Sequence, residues 1–472
     1  MTGYDLLFLL PLVIVAGTVL LVMSSIALRR RHLLVALMSD AGFLAALIAN
    51  LALLAADDGS HQVTALLIVD RSSLIFGALI LFAGLIVTLL SYDYLKRRDE
   101  RREEYYLLLL LAAAGALVLA GAAHFASFFL GLELLSVSLF AMIAYLRTRP
   151  DALEAGVKYL VLAGASSAFM LFGVALIYAQ TGRLDFSALF MMRASPWLIA
   201  GLALLVTAVG FKLALAPFHW WTPDIYQGAP APVTAFMATA SKAAMVAALL
   251  RIAAPAGLDQ QPRLWYALAA MSVISMFLGN LLALRQNSVK RLLAYSSIAH
   301  LGYVLVALLV GGTAGSQAAT FYLIAYTVTM LAAFGVVSVM SAGETEADAL
   351  ETYRGLFWRR PFVAAVMTAS LLSLAGIPLT AGFVAKFYLV AAGVRDAQWA
   401  LVLVLIAASV IGLFYYLRVI WTMLSASDPA PAALPALSLI GGTVLAALVV
   451  ALLWLGLYPA PILRLIGRVS GL

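Results

Sequence analysis

Four lysines, one glutamate and one histidine stand in otherwise apolar surroundings: Lys158, Lys212, Lys242, Lys386, Glu133 and His300. An ionisable group at membrane depth is costly, and by default it marks an ion path or a proton relay. The split between the two basic residue types sharpens that reading. All 23 arginines fall at the ends of apolar runs or between them, whereas four of the six lysines fall inside. Arginine cannot release its proton in a protein, but a lysine taken out of water can exchange one near neutral pH. Charges that only tied helices together would do as well as arginine, so the pattern points to proton handling rather than structural pairing.

The other polar groups fit a relay. Glu133, in FFLGLELLSVSLF, lies about nine residues into its apolar run, roughly 14 Å deep at about 1.5 Å per residue. Lys212 is its expected partner. His300 sits in AYSSIAHLGY with Ser296, Ser297 and Tyr303, which suggests a hydrogen-bonded polar file. Asp40 lies two turns into the second run and reads as a satisfied interior acid. His124 and His219 fall at helix ends and are weaker candidates. The histidines are scattered without metal-ligand spacing, so no metal site and no bound cofactor are expected in this chain.

The elements that must position these groups are membrane helices. The chain has 472 residues, of which 65% are hydrophobic and 11% charged, with a mean hydropathy of +1.05. That composition excludes a soluble domain and gives no reason to expect nucleic acid as a partner. Cysteine is absent, which removes disulfides and thiolate-bound iron–sulfur clusters from consideration. The first apolar run, Leu6 to Leu28, has no basic residue before it and no small-residue cleavage site, so it reads as a membrane helix rather than a signal peptide. Runs of spanning length fall at 5–28, 33–56, 71–95, 105–122, 124–146, 152–179, 196–216, 230–254, 264–284, 288–310, 316–341, 361–392, 397–424 and 433–458. The expected fold is an all-α polytopic membrane protein with about fourteen transmembrane helices.

Seventeen of the 29 basic residues fall in connections on one side and eight on the other. By the positive-inside rule the richer side is cytoplasmic, which puts both termini on the opposite, periplasmic side.

Two places depart from simple spans. Four prolines, Pro217, Pro223, Pro230 and Pro232, interrupt the stretch Gly210–Ala244, and Pro378 interrupts LSLAGIPLTAGFVAKFY. A proline inside a helix removes a backbone donor, so a break at membrane depth must be buried in protein or line a wet cavity. Pro217 and Pro378 are therefore read as structural helix breaks, each close to a lysine. The breaks share a spacing of about 162 residues with a second match, in which Glu154-Ala155, Tyr159-Leu160 and Phe172-Gly173 answer to Gln317-Ala318, Tyr322-Leu323 and Phe334-Gly335. A repeat of five helices has an odd number of spans, so its copies enter the membrane from opposite sides. The expected organisation is an N-terminal three-helix segment (1–104), two inverted five-helix half-channels (105–260 and 261–427) and a C-terminal helix (428–472).

LAPFHWWTPDIYQGAPAPVTAFMATASKAA, FFLGLELLSVSLFAMIAYL, RLLAYSSIAHLGY and LAGIPLTAGFVAKFY together resemble the antiporter-like membrane subunits of proton-pumping NADH:quinone oxidoreductase, respiratory complex I. The resemblance extends over nearly the whole chain, and WTPDIYQGAP followed by SKAA points to the N type rather than L or M. One departure is His219-Trp220-Trp221, where other members commonly carry a different aromatic residue or methionine. The resemblance implies a lateral proton path with Glu133 and Lys212 as a charge pair, Lys242 central, Lys386 terminal and Lys158 on the helix after the glutamate. It further implies a translocase subunit without a redox centre, in the bacterial inner membrane. Flavin, iron–sulfur clusters and quinone would reside in partner subunits, and the neighbours would be subunit M, small membrane subunits and lipid. The alternative is a subunit of a multi-subunit cation/proton antiporter, which shares the fold.

Overall fold

The computed structural model describes residues 3–56, 59–98, 101–190, 195–253, 261–341, 343, 345–426 and 435–467. In chain order the helices are α1 (Gly3–Phe8), α2 (Leu10–Leu28), α3 (His32–Ala56), α4 (Arg71–Lys96), α5 (Glu103–Ala120), α6 (Phe125–Ile143), α7 (Pro150–Thr181), α8 (Pro196–Leu213), α9 (Trp221–Gly228) and α10 (Ala231–Ala238). There follow α11 (Ala240–Ala253), α12 (Pro262–Ala283), α13 (Val289–Val310), α14 (Gly312–Met340), α15 (Leu356–Arg359), α16 (Pro361–Ala375), α17 (Ala381–Arg395), α18 (Trp399–Leu424), α19 (Leu439–Leu457) and α20 (Ala460–Gly467). A two-residue antiparallel pair, His61–Gln62 with Ile68–Val69, is the only sheet among the described residues.

Local sequence explains where the long helices start. Pro150, Pro196, Pro262 and Pro361 occupy first helical positions, where the missing N–H would have no partner anyway. Asp70 and Ser73 form a reciprocal capping box at the start of α4, and Ser288 accepts from the Arg291 N–H at the start of α13.

Among the described residues thirteen segments are long and apolar enough to cross a membrane, α10 and α11 counting as one, and the broken pair α16–α17 supplies a fourteenth. The centre is formed by α13, α14 and α10–α11, whose apolar windows are 94%, 89% and 89% buried. On the rim, α2 is only 22% buried and leaves apolar side chains outward. Small residues let the backbones close up. A Cβ on Gly115 would lie 2.5 Å from the Leu135 nitrogen, and one on Gly131 would lie 2.8 Å from that of Leu119. These two glycines press α5 against α6, the helix that carries Glu133.

Contacts sort the connections onto two faces. On the arginine-rich face Arg30 pairs with Glu104 at 2.6 Å, Arg98, Arg149 and Lys290 converge on Glu346, and Arg418 donates to the carbonyls of Leu284 and Gln286. On the opposite face Arg251 pairs with Asp70 at 3.0 Å, Arg71 reaches the Leu465 carbonyl and Phe8 stacks on His61. The starting helix α1 and the last helix α20 therefore lie together, away from the arginine-rich face. Lys290, expected in a surface connection, is instead wholly buried.

Both expected helix breaks are present, but neither begins at its proline. Ala214 adopts a left-handed φ of 60° and closes α8, with Ala214 N–H donating to Phe211 and Leu215 N–H to Gly210. Gly376, with φ of 85°, closes α16 in the same way: its N–H donates to Ser373, and that of Ile377 donates to Leu372. Each pair of bonds makes a Schellman turn. The chain has thus stopped each helix two or three residues before Pro217 or Pro378. The two left-handed residues are 162 positions apart, the spacing read from the sequence. A third break, at Thr239 between α10 and α11, was not expected: its hydroxyl donates to the Ala235 carbonyl, three residues before Lys242.

Candidate proton path

A Schellman turn leaves carbonyls of the last helical turn pointing past the helix end, where partial negative charge accumulates. At both breaks a lysine ammonium occupies that position. Lys242 Nζ, on α11, donates to the Lys212 carbonyl at 2.7 Å and lies 4.9 Å from the centre of the Trp221 ring. Lys386 Nζ, on α17, donates to the Leu374 and Ala375 carbonyls, both at 2.9 Å, and to Ser409 Oγ on α18 at 2.7 Å. The two broken helices therefore end on the same arrangement, built once from a following span and once from the second half of the broken helix itself.

Lys212 is buried, and its ammonium donates to Ser136 Oγ at 2.7 Å, with the Tyr159 ring centre 5.6 Å away. The expected direct pair with Glu133 is not formed: no ion pair joins the two among the described residues. Glu133 instead accepts a hydrogen bond from Ser167 on α7. Ser136 stands three residues along α6 from Glu133, close to one helical turn. The lysine and the carboxylate thus address the same helix face through different hydroxyls.

His300 is held by tyrosines from two other helices, Tyr322 OH on α14 at 2.6 Å from Nδ1 and Tyr416 OH on α18 at 3.2 Å from Nε2. The residues expected to line up with it on its own helix bond elsewhere. Ser296 meets Tyr416 at 2.5 Å, Ser297 accepts from Tyr326 at 2.8 Å, and Tyr303 meets Asn280 at 2.9 Å. Tyr303 nevertheless lies edge-on to His300 and 5.4 Å below the Lys386 ammonium, so it spans the space between them. Between the two lysine-capped ends lies α12, where Ser275 accepts from the Ala216 N–H at the first break and Ser272 donates to the Gly302 carbonyl beside His300.

Lys158 departs from its expected setting. Its side chain is 42% exposed and is paired with Glu154 at 2.7 Å and Asp224 at 2.9 Å. Asp224, the acid of WTPD, also binds Arg291 at 2.6 Å, so this cluster opens on the arginine-rich face through a cavity of about 270 Å³. His124 caps α6, with Nδ1 accepting from the Ala126 N–H. His219 is buried in the first break with neither ring nitrogen bonded, and one oxygen of half-buried Asp40 is likewise without a partner. Among the described residues no cluster of acids and histidines is able to hold a metal ion. Ser136, Ser167 and Ser409 are not singled out in the sequence, because a serine hydroxyl inside an apolar helix usually bonds its own backbone one turn back. The roles of Tyr322 and Tyr416 are not legible there because they reach His300 from helices distant in the chain.

Membrane-length helices with paired breaks at depth define a class, the polytopic membrane proteins with discontinuous helices. Comparison narrows it. The sequence profile of the family described as "NADH:quinone oxidoreductase/Mrp antiporter, TM" matches residues 122–412. NADH-quinone oxidoreductase subunit N of Nitrosospira multiformis is 48% identical over 99% of this chain and 96% of that protein. A chain of respiratory complex I from Thermus thermophilus superposes with a TM-score of 0.83 at 34% identity, over 97% of this chain and 99% of that one. A chain of the Mrp complex from a Dietzia species gives a TM-score of 0.88 at 23% identity, over 99% and 97%, a likeness of fold alone. The chain belongs to the family of NADH-quinone oxidoreductase subunit N.

Proposed function

We propose that this chain is the proton-translocating, non-redox membrane subunit of an NADH:quinone oxidoreductase in a bacterial inner membrane. Quinone reduction, with its flavin and iron–sulfur clusters, takes place in partner subunits, and subunit M and small membrane subunits flank this one. The single observation that carries the reading is the repeated lysine-capped helix break: two ammonium groups, Lys242 and Lys386, at membrane depth on carbonyls freed by the same turn. Residues 105–260 and 261–427 act as inverted half-channels, flanked by 1–104 and 428–472.

In this reading Lys212 alternates between two acceptors on α6, Ser136 as observed and Glu133 after a shift of about one turn. Near the carboxylate its proton is held; beside a neutral hydroxyl it is released toward Lys242. Lys242 accepts it as the neutral amine once it has passed its own proton on toward His300, and its Nζ already stands against the Lys212 backbone. His300, through Tyr322, Tyr416 and Tyr303, links onward to Lys386. Lys158 with Asp224 supplies the entry side. The test is the assembled enzyme in vesicles, with NADH oxidation and internal acidification followed together. Glu133→Gln, compared at equal flavin content, is expected to slow both by about tenfold or more, the scale of a lost proton-transfer group. Wild-type rates would remove Glu133 from the path. Sodium-driven proton exchange without NADH oxidation, and a chain that purifies without flavin subunits, would instead establish the antiporter alternative.

A further inference from the structure

On the arginine-rich face, the ends of α5, α6 and α7 enclose an open cavity of about 640 Å³ that the proton path does not use. Arg101 and Arg147 stand exposed at its rim, and neither side chain has a hydrogen-bond or ion-pair partner among the described residues. In the wall, the Tyr145 hydroxyl and the Glu104 Oε2 are buried without a partner, while the other Glu104 oxygen is neutralised by Arg30 at 2.6 Å. The cavity thus offers two free cations, one buried donor and one buried acceptor.

Apolar surface leads away from it. Leu134 and Val137 on α6, and Leu153, Val157 and Leu160 on α7, are between 37% and 62% exposed and descend from the cavity toward the middle of the protein. They make an apolar track directly below the charged rim.

We propose that this cavity is a binding site for one anionic glycerophospholipid whose headgroup carries a free hydroxyl. Arg101 and Arg147 take the phosphodiester. A rotation of the Tyr145 and Glu104 side chains out of the wall, where both unpartnered atoms now lie closed to solvent, lets the hydroxyl donate to a phosphate or ester oxygen and Oε2 accept from the headgroup hydroxyl. The acyl chains lie along the α6–α7 track. A soluble phosphate would leave that track unused, and a net-neutral headgroup would bring a cation of its own to the two arginines, which is why the lipid is committed to as anionic.

The test uses the assembled complex in phosphatidylcholine vesicles doped with a lipid carrying a photoactivatable acyl chain. The headgroup of that probe is phosphatidylglycerol, phosphatidylethanolamine or phosphatidylcholine in parallel samples, and the labelled peptides are mapped. Two basic residues at a membrane surface favour an anionic probe over a neutral one by roughly tenfold or more. The phosphatidylglycerol probe should therefore label the stretches around Val137 and Leu153 by that margin over the other two. Arg101→Gln with Arg147→Gln should bring it down to the phosphatidylcholine level, with labelling around Phe414 on α18 unchanged. Equal labelling by phosphatidylglycerol and phosphatidylcholine in the unaltered protein would overturn the site, as would an undiminished preference in the double variant. Equal labelling by the ethanolamine probe would overturn the anionic assignment, and displacement by inorganic phosphate would overturn the lipid. Should the double variant fail to assemble, competition by unlabelled phosphatidylglycerol against phosphatidylcholine in the unaltered protein decides the question.

Discussion

At the scale of single residues, the difference between lysine and arginine becomes a test because of where Lys242 sits. Its ammonium is enclosed, 1% exposed as a residue, between a helix-end carbonyl and the face of Trp221. Lys242→Met removes the charge and keeps an unbranched stem; Lys242→Arg keeps the charge but cannot release a proton. If Lys242 only stabilises the end of α8, arginine should sustain pumping and methionine should not. If it carries protons, both variants should lose about tenfold or more in NADH-driven acidification of vesicles, normalised to flavin. Near-normal pumping with arginine would reduce Lys242 to an electrostatic role. The lysines were legible in the sequence because a charge inside an apolar run has no local excuse. Their partners were not, because Ser136, Ser409 and the tyrosines around His300 arrive from helices distant in the chain. Whether Glu133 and Lys212 touch was not legible for the same reason: two opposite charges at similar depth need not meet, and here each bonds a different serine.

At the scale of elements, prolines announced the breaks, but the turns that end the helices are made by Ala214 and Gly376. A left-handed alanine has no sequence signature, and the kink at Thr239 is silent in APVTAFMATASKAA, which reads as one helix. Gly376→Ala should therefore matter more than Pro378→Ala. An added Cβ would meet Lys386 Cδ at 2.9 Å and Nζ at 3.3 Å, and the left-handed backbone itself strains a non-glycine residue by about 1–2 kcal/mol. The expected result is a lower melting temperature of the complex and reduced pumping for Gly376→Ala, with Pro378→Ala near wild type. The reverse order would show that the proline, not the turn, sets the break. A second element-scale device is Glu346, in the connection after α14, whose side chain is 2% exposed. It sits 3.2 Å from Arg98, 3.3 Å from Lys290 and 3.4 Å from Arg149, with Tyr94 donating to it. Burial pushes its carboxyl up, but Lys290, Arg98, the Tyr94 hydrogen bond and Arg149 outweigh burial and hold it below the usual carboxylate range. A depressed carboxyl stabilises fully above its unfolded value of 4.5 and loses that contribution as pH falls through the folded value. This carboxyl should therefore add no pH dependence to stability between roughly pH 5.5 and 8, and its protonation should weaken the fold only in acid. Glu346→Gln leaves three buried or half-buried cations facing each other and should destabilise by roughly 3–5 kcal/mol at neutral pH. Thermal melting of the assembled complex measures it, and an unchanged melting temperature would mean the cations find other partners.

At the scale of the whole molecule, length and hydropathy were enough to place the spans, since each must cover the same thickness of hydrocarbon and satisfy its own backbone. The segregation of basic residues was equally legible, and the contacts gather them onto one face with α1 and α20 on the other. Which face is cytoplasmic is a statement about the cell, and the charge asymmetry predicts it through the energetics of insertion rather than through any folded contact. The absence of cysteine makes this testable on the chain as it stands, because every thiol introduced is the only one it carries. Asp396 is exposed in the short connection between α17 and α18, on the arginine-poor face, and Glu351 is exposed on the arginine-rich face, where its side chain is 65% accessible. With Asp396→Cys, a membrane-impermeant maleimide should label the chain in intact cells. With Glu351→Cys, labelling should require permeabilised membranes, and the unaltered chain should remain unlabelled in both conditions. Asp396 and Glu351 are separated by one full crossing of the broken pair α16–α17, so the two variants must give opposite answers whatever the orientation. The pattern with Asp396→Cys accessible from outside fixes the arginine-rich face, and with it the Lys158–Asp224 cluster, on the cytoplasmic side, where a pump that expels protons must take them up. The opposite pattern would leave the file of lysines intact but reverse the direction in which the proposed path runs.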